Sequence, residues 1–399
     1  MKKVFVGLFT LSFLCSCFMW RNEQEEDSSI FGWRSAGLQF DGNSVALSQM
    51  FHSGNYIFVM DGGIQYYDEY YPNRYIFFTK QGSMAWDTLK LPENAIPSVI
   101  YADSDDGLYI GTHTTGQVWR YNPSMETLDS LIKKDSLYVY GITRLNNRLV
   151  ISMCDTWGNI KKSFCPIFIQ QDDGTWEDIT PASDILVFRN ARDWHNDLFV
   201  ITFNQGLWRF NSANKEWSQI SINNQPNHSL LPSIEVYKDR LFVGYSSNGV
   251  WSLSDDYKTW NCEDFEWINY GCNPFFGCGN SIMRGNPMKV LVLKTNGEYL
   301  FSAGEDDSNP RLYMGDRGEP MGWRRISGDL CPKPGYGRCT FTRGLDIVGD
   351  TLYAAIKTGV YKIPIVELDS AIKNSDPYGR FPGMKPEVDS FPTPWVYEK

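Results

Sequence analysis

The residues of this chain best spaced for chemistry are cysteines. Cys154 and Cys165 bracket "CDTWGNIKKSFC", Cys331 and Cys339 bracket "CPKPGYGRC", and Cys262, Cys272 and Cys278 share one further stretch. Two facing antiparallel strand ends bring Cα atoms to ~4.5–5.5 Å, within reach of a disulfide. The first two pairs can therefore each close a loop, while among the other three two can pair and one is left over. Each closure of about ten residues contributes ~2–3 kcal/mol, mainly by restricting the unfolded chain. A zinc site needs thiolates or imidazoles at tight spacing. These cysteines fall in three separate stretches and the chain has 4 histidines, so cross-linking is the expected role and no metal is expected through them.

Other constellations are sparser. Arginines sit beside acids in "ARD" (Arg192, Asp193) and "RGLD" (Arg343, Asp346). Two carboxylates facing each other across a cavity could cleave a glycosidic bond, one as acid and one as base or nucleophile. Glu305, Asp306 and Asp307 supply oxygens of the kind Ca²⁺ takes, although such a run also serves as a solvated turn. His195 lies in "DWHND", and no G-x-S-x-G elbow accompanies it, so a turn is its expected place. Aromatics gather in the cysteine-bearing stretches and one other: Tyr66, Tyr67, Tyr70, Tyr71, Trp157, Trp267, Tyr270, Phe275, Phe276 and Tyr336. Flat rings on fixed loops suit stacking on sugars or capture of a protein, because each offers much contact area at small entropic cost.

The bulk numbers narrow the partners. Net charge is −10 and the pI about 5.0, against a nucleic acid, whose backbone binds clustered Lys and Arg. Residues 1–16 open "MKKVFVGLFTLSFLCS", a basic then apolar export signal too short to span a bilayer. Its "LCSC" end resembles the bacterial lipobox, which makes Cys17 the expected site of lipid attachment; an ordinary signal peptide cut near Trp20 is the alternative. Residues 17–30 continue as a polar tether, "RNEQEEDSS" at its centre, with little to bury. The expected address is the cell envelope, at the outer membrane or cell surface.

The elements that position these residues follow from a repeat. "DGLYIGTHTTGQVWRYNPSMETLDSL", "NDLFVITFNQGLWRFNSANKEWSQI" and "DRLFVGYSSNGVWSLSDDYKTW" share one phrase of turn, apolar strand, Gly-bearing turn, aromatic strand, turn and outer strand. Strands anchored at Ile57, Leu108, Leu149, Leu198, Leu241, Leu300 and Leu352 are spaced 51, 41, 49, 43, 59 and 52 residues apart. Four short strands per unit at that period predict an all-β propeller over residues 31–368, with seven blades, six or eight remaining compatible. The last unit lacks an outer strand, and "FGWRSAGLQF" near the N-terminus matches "MGWRRISGDL" of the unit before it. The N-terminal strand is thus expected to complete the last blade and remove an open edge. Residues 369–399 form a Pro-rich tail without period.

With strands labelled A to D from axis to rim, the A-to-B turns are short, including the dipeptides Asn146-Asn147 and Lys238-Asp239, and most of the long insertions fall in B-to-C and D-to-A connections. "LSDDYKTW", at a C-to-D turn, resembles the Asp-box (BNR repeat) of sialidase-like propellers through Asp255, Thr259 and Trp260, with Leu253 and Tyr257 where the pattern has Ser and Gly. "QDDGTW" echoes it through Asp173, Gly174 and Trp176, one residue short. The resemblance implies a turn held by aspartate and a Trp packed between blades. A sialidase of that family would also need an arginine triad, a Tyr–Glu pair and an acid/base Asp, and its Arg-Ile-Pro sequence is absent. The expected function is a non-catalytic, lipid-anchored propeller that binds a glycan or an envelope protein through its aromatic loop face. A glycoside-cleaving enzyme is the alternative, and a structural part of an envelope complex a third class.

Overall fold

The computed structural model describes residues 32–40, 47–61, 75–92, 95–103, 107–113, 115–155, 164–182, 186–202, 206–221, 233–245, 249–263, 289–305, 311–313, 323–326, 342, 344–356 and 359–368. They build seven antiparallel four-stranded sheets arranged as a seven-bladed β-propeller. Strand β1 (Arg34–Gln39) comes first in the chain but belongs to the last blade. Blade 1 is β2 (Leu47–Ser53), β3 (Tyr56–Asp61), β4 (Ile76–Lys80) and β5 (Asp87–Leu89). Blade 2 is β6 (Pro97–Asp103), β7 (Gly107–Thr112), β8 (Gln117–Asn122) and β9 (Thr127–Lys133). Blade 3 is β10 (Tyr138–Leu145), β11 (Arg148–Cys154), β12 (Ile167–Gln170) and β13 (Trp176–Asp178).

Blade 4 comprises β14 (Phe188–Trp194), β15 (Asp197–Thr202), β16 (Gly206–Asn211) and β17 (Glu216–Ile220). Blade 5 comprises β18 (Ser233–Tyr237), β19 (Arg240–Tyr245), β20 (Gly249–Leu253) and β21 (Trp260–Cys262). In blade 6 the strands are β22 (Lys289–Thr295), β23 (Leu300–Glu305), β24 (Arg311–Tyr313) and β25 (Trp323–Arg325). Blade 7 has β26 (Gly344–Val348), β27 (Thr351–Ile356) and β28 (Gly359–Pro364), and β1 lies outside β28.

The second strand of each blade is a short apolar run with its middle fully buried, as in "LFVIT" of β15. Such a run has no solvated face, so it must be covered on both sides, and neighbouring blades provide the cover. First strands of adjacent blades touch all round the ring, β26 against β2 included. The closing strand pairs Arg34 with Lys362 and Gln39 with Gly359. It carries Trp33, 1% exposed, whose Nε1 donates to the Ile326 carbonyl of blade 6 at 2.8 Å.

That contact recurs around the rim. Trp86 donates to the Ala36 carbonyl at 2.8 Å, Trp217 to Ile179 at 2.6 Å and Trp260 to Ser221 at 3.0 Å. In each case a Trp at the outer strand of one blade reaches the outer strand, or its end, in the blade before. The ring inserts between blades and its N–H satisfies a carbonyl that the sheet edge leaves open.

Strand polarity gives the two ends of the ring different characters. A-to-B turns close over residues 54–55, 146–147, 195–196, 238–239 and 349–350. Asn146, Asn147, His195, Asn196, Lys238 and Asp239 all have positive φ, the backbone that a two-residue hairpin turn demands. The opposite end receives the connections 62–75, 155–166, 221–232, 263–288 and 326–343.

Trp33→Ala is expected to lower stability by about 3–5 kcal/mol, the usual range for truncating a buried Trp. Guanidinium unfolding would read this as a lower midpoint at unchanged slope; a wild-type midpoint would show that the N-terminal strand does not hold the ring shut.

Candidate functional site

The innermost strands converge on the axis, and one position repeats there. Phe51, Tyr101, Thr143, Arg192, Glu235, Lys294 and Asp346 occupy it in blades 1 to 7, each paired with the residue that follows the buried Ile57, Leu108, Leu149, Leu198, Leu241, Leu300 or Leu352 of the second strand. Lys294 of blade 6 lies 5.0 Å from the ring centre of Phe51 in blade 1, past blade 7. A contact that skips a blade requires these side chains to point at the axis.

The charges in this layer are paired. Arg192 grips Glu235 through Nε to Oε1 and Nη2 to Oε2, both 2.8 Å. Lys294 Nζ lies 3.0 Å from Asp346 Oδ1, and His52 Nδ1 lies 2.8 Å from Oδ2. The Asp346 side chain has 0% of its surface accessible, against 17% for Lys294. Burial resists ionisation of Asp346, but Lys294 and His52 outweigh it and hold the carboxyl below the ordinary carboxylate range. Burial would likewise lower the Arg192 value, and the Glu235 carboxylate more than reverses this.

Such pairing bears on catalysis. A glycosidase acid must hold its proton near neutral pH, which requires a raised pKa. Asp346 is shifted the other way. Arg192, Asp193 and Asp346 were flagged in the sequence as neighbours of opposite charge, and the fold distributes them differently. Arg192 bonds Glu235, 43 residues on, while Asp193 Oδ2 accepts the Asn146 amide at 2.8 Å. Glu235 and His52 carry no local signal in the sequence; only their position in the repeat could have placed them on the axis.

Toward the long-connection end the first strands of blades 1, 2, 3, 4 and 6 each contain a register shift, between Leu47/Gln49, Pro97/Val99, Val139/Gly141, Phe188/Asn190 and Val290/Val292. Bulges at a rim re-aim a side chain that a regular strand would hold in strict alternation. In blades 3 and 4 the extra residues are Tyr140 and Arg189, with the guanidinium 5.9 Å from the ring centre. His113 packs on Tyr138 at 4.7 Å. Tyr140, Cys154, Cys165 and Val187 form one buried cluster beneath, with Tyr138 against it. The disulfide Cys154–Cys165 is present, its Cα atoms 4.0 Å apart. This patch was missed in the sequence, although the alternation in "LYVYG" marks Tyr138 and Tyr140 as sharing a face.

Several sequence expectations fall outside the described residues: Cys17, Tyr66, Tyr67, Tyr70, Tyr71, Trp157, Trp267, Tyr270, Phe275, Phe276, Tyr336, Cys272, Cys278, Cys331, Cys339, Asp306 and Asp307. Cys262 and Glu305 end their strands, and their side chains are likewise outside. Among the described residues no group of three His, Cys, Asp or Glu could hold a metal ion.

At the opposite end, one expectation needs correction. The turn after β20 is held by Asp256, not Asp255. Asp256 Oδ1 accepts the amides of Lys258 and Thr259 at 2.9 and 2.8 Å, and Oδ2 accepts the Thr259 hydroxyl at 2.5 Å. An aspartate reaches amides two and three residues ahead, which puts Thr259 in range of Asp256 and beyond that of Asp255. Asp173 does the same for Thr175, with amide and hydroxyl at 2.9 and 2.6 Å. These Thr bonds lower the pKa of both aspartates. His195 is the A-to-B turn residue of blade 4, its Nε2 2.9 Å from Asp239 and its ring stacked on Trp194 at 4.5 Å.

Two outcomes follow. Asp346→Asn should cost about 3–5 kcal/mol at neutral pH, since it leaves the Lys294 charge unpaired in the ring. The native carboxyl is depressed relative to ~3.9 in the unfolded chain, so its contribution is present above that value and lost as pH falls through the native one. Urea midpoints taken from pH 7 to 3 should therefore drop less steeply at the acid end in the variant. Asp256→Ala should lower the melting temperature and Asp255→Ala should leave it in place; the reverse order would move the turn's acceptor back to Asp255.

No family model and no curated protein sequence matches the chain. Its structural likenesses are β-propellers. Virginiamycin B lyase from Staphylococcus aureus superposes with TM-score 0.52 at 13% identity, covering 83% of this chain and 97% of the lyase. YCF48 bound to a D1 peptide does so with TM-score 0.54 at 13% identity, covering 83% and 94%. At such identity the likeness is one of fold, and the chain is a seven-bladed propeller by its own strand pairing.

Proposed function

We propose that this chain is a non-catalytic binding propeller of the bacterial cell envelope, attached to lipid through Cys17, which receives a glycan or an envelope protein on its long-connection face. One observation carries this reading: the two ends of the ring are built to different rules. One end closes mostly in short turns, the blade 6 connection 314–322 excepted, while the longest insertions, the Cys154–Cys165 disulfide and the bulged mouth of the axis occur at the other. A binding surface that must keep a fixed shape without core packing is the use such an arrangement serves.

The two fold relatives act differently, one a lyase and one caught with a peptide, so the fold does not choose between enzyme and binder. The axial chemistry favours the binder. The acids of the axial layer are engaged by Arg192, Lys294 and His52. The sialidase-like kinship is likewise a proposal, resting on the Asp173 and Asp256 turns, which serve folding rather than catalysis.

Glycan-array and envelope pull-down assays should show binding by the mature protein that is lost when Tyr66, Tyr67, Tyr70 and Tyr71 become Ala, at unchanged melting temperature. Binding that survives the replacement removes that loop from the site. Turnover of any polysaccharide by the purified protein overturns the binder reading as a whole.

A further inference from the structure

The place where the chain enters the ring fixes which way the ring faces. β1 runs antiparallel to β28, with Arg34 opposite Lys362 at the tight-turn end and Gln39 opposite Gly359 at the long-connection end. Arg34 Nη2 also binds Glu367 at 3.0 Å, in the helical turn 365–368 that follows β28. Residues 1–31 therefore reach the propeller at its tight-turn end, beside blade 7. A random coil as long as the stretch from Cys17 to residue 32 would span roughly 20–25 Å root-mean-square, comparable with a small domain's own dimensions. Its length favours the near face of the ring over the far one.

The rim at that entry point differs from the rest of the same face. Among the described residues, the exposed large apolar side chains at this end are Val366 (76%), Met84 (40%) and Met125 (73%). They occupy the C-to-D positions of blades 7, 1 and 2, which are consecutive in the ring and flank the tether. The exposed charges nearby are mixed: Arg34, paired with Glu367, and Lys80 stand with Asp87 and Glu126. The corresponding turns of blades 3 and 5 carry Asp172, Asp173, Asp255 and Asp256 instead. Apolar tips suit the headgroup boundary of a leaflet, and turns whose tips carry only polar or acidic side chains lack that anchor.

We propose that the protein rests on its membrane through the rim of blades 7, 1 and 2, with the tight-turn face down and the long-connection face presented away from the lipid. This orientation rests on lipid attachment at Cys17, and the test separates the two. The full-length protein is produced with an azido amino acid in place of Met125, Ala213 or Phe164, which avoids the native cysteines. Ala213 lies in the C-to-D turn of blade 4, and Phe164 is 60% exposed before β12, on the long-connection side. Each is coupled to a fluorophore and placed in phosphatidylethanolamine–phosphatidylglycerol vesicles bearing a headgroup quencher, while mass spectrometry of the N-terminal peptide reads the lipid on Cys17.

With Cys17 lipidated, the Met125 label should lose most of its fluorescence and the Phe164 and Ala213 labels little. Equal or greater loss at Phe164 overturns the orientation and leaves the anchor standing. Loss at Ala213 equal to that at Met125 overturns the choice of rim. An unmodified Cys17 overturns both anchor and orientation.

Discussion

Everything in this fold depends on the pairing of β1 with β28. A ring of sheets has no natural seam, but a chain has two ends, and the strand pair that joins them converts a row of wedges into a closed object. Without it β28 would present open hydrogen-bonding groups at the rim of blade 7, and Trp33 would leave its place against Ile326. The outer-strand tryptophans repeat the device at other blade boundaries. Each fixes a rim that the inner strands alone, packed close to the axis, would leave free to splay.

Closure has a consequence at the centre. Seven first strands brought together leave little space, and backbone sometimes packs on backbone: a Cβ at Gly141 would lie 2.4 Å from the Phe188 carbonyl oxygen. A charged residue on such a strand has to find its partner in another blade, because water has little access. Arg192 finds Glu235 next door, and Asp346 is held by Lys294 on one side and His52 on the other. Paired and hydrogen-bonded burial of this kind adds little net stability over apolar packing. It does make the order of blades around the axis chemically distinct, since only one arrangement satisfies every charge.

The parts of this design that were legible in the sequence are those encoded locally. The second strands show as apolar runs because both faces are buried, and Asn146-Asn147 and Lys238-Asp239 show as turns because few residues tolerate positive φ. The closing strand could be found because Trp33 sits in a phrase that matches the one around Trp323. What escaped is set by ring geometry. His52 and Asp346 are 294 residues apart, and no spacing rule links them. The Asp255 reading failed by one residue because a degenerate turn leaves two adjacent aspartates, and only the backbone decides which one faces the amides. Tyr138 and Tyr140 escaped because alternating tyrosines in a first strand read as packing, and only the bulge between Val139 and Gly141 sets Tyr140 beside Arg189 of the next blade.

The same geometry explains why stability and recognition can be assigned to different ends. The tight-turn end is over-determined. Tyr257 holds φ 56°, unusual for an aromatic residue, because the Arg209 guanidinium lies 4.2 Å from its ring centre and Trp194 meets it edge-on at 5.4 Å. Substitutions there act on the fold. The connections at the other end join strand ends that the blades already hold in place, so their length can grow at a logarithmic entropic cost, each doubling costing only about 0.6 kcal/mol. A ring that fixes its blades through rim tryptophans and axial charge pairs leaves one face free to change its sequence without loosening the whole, and that is the face on which a ligand can be chosen.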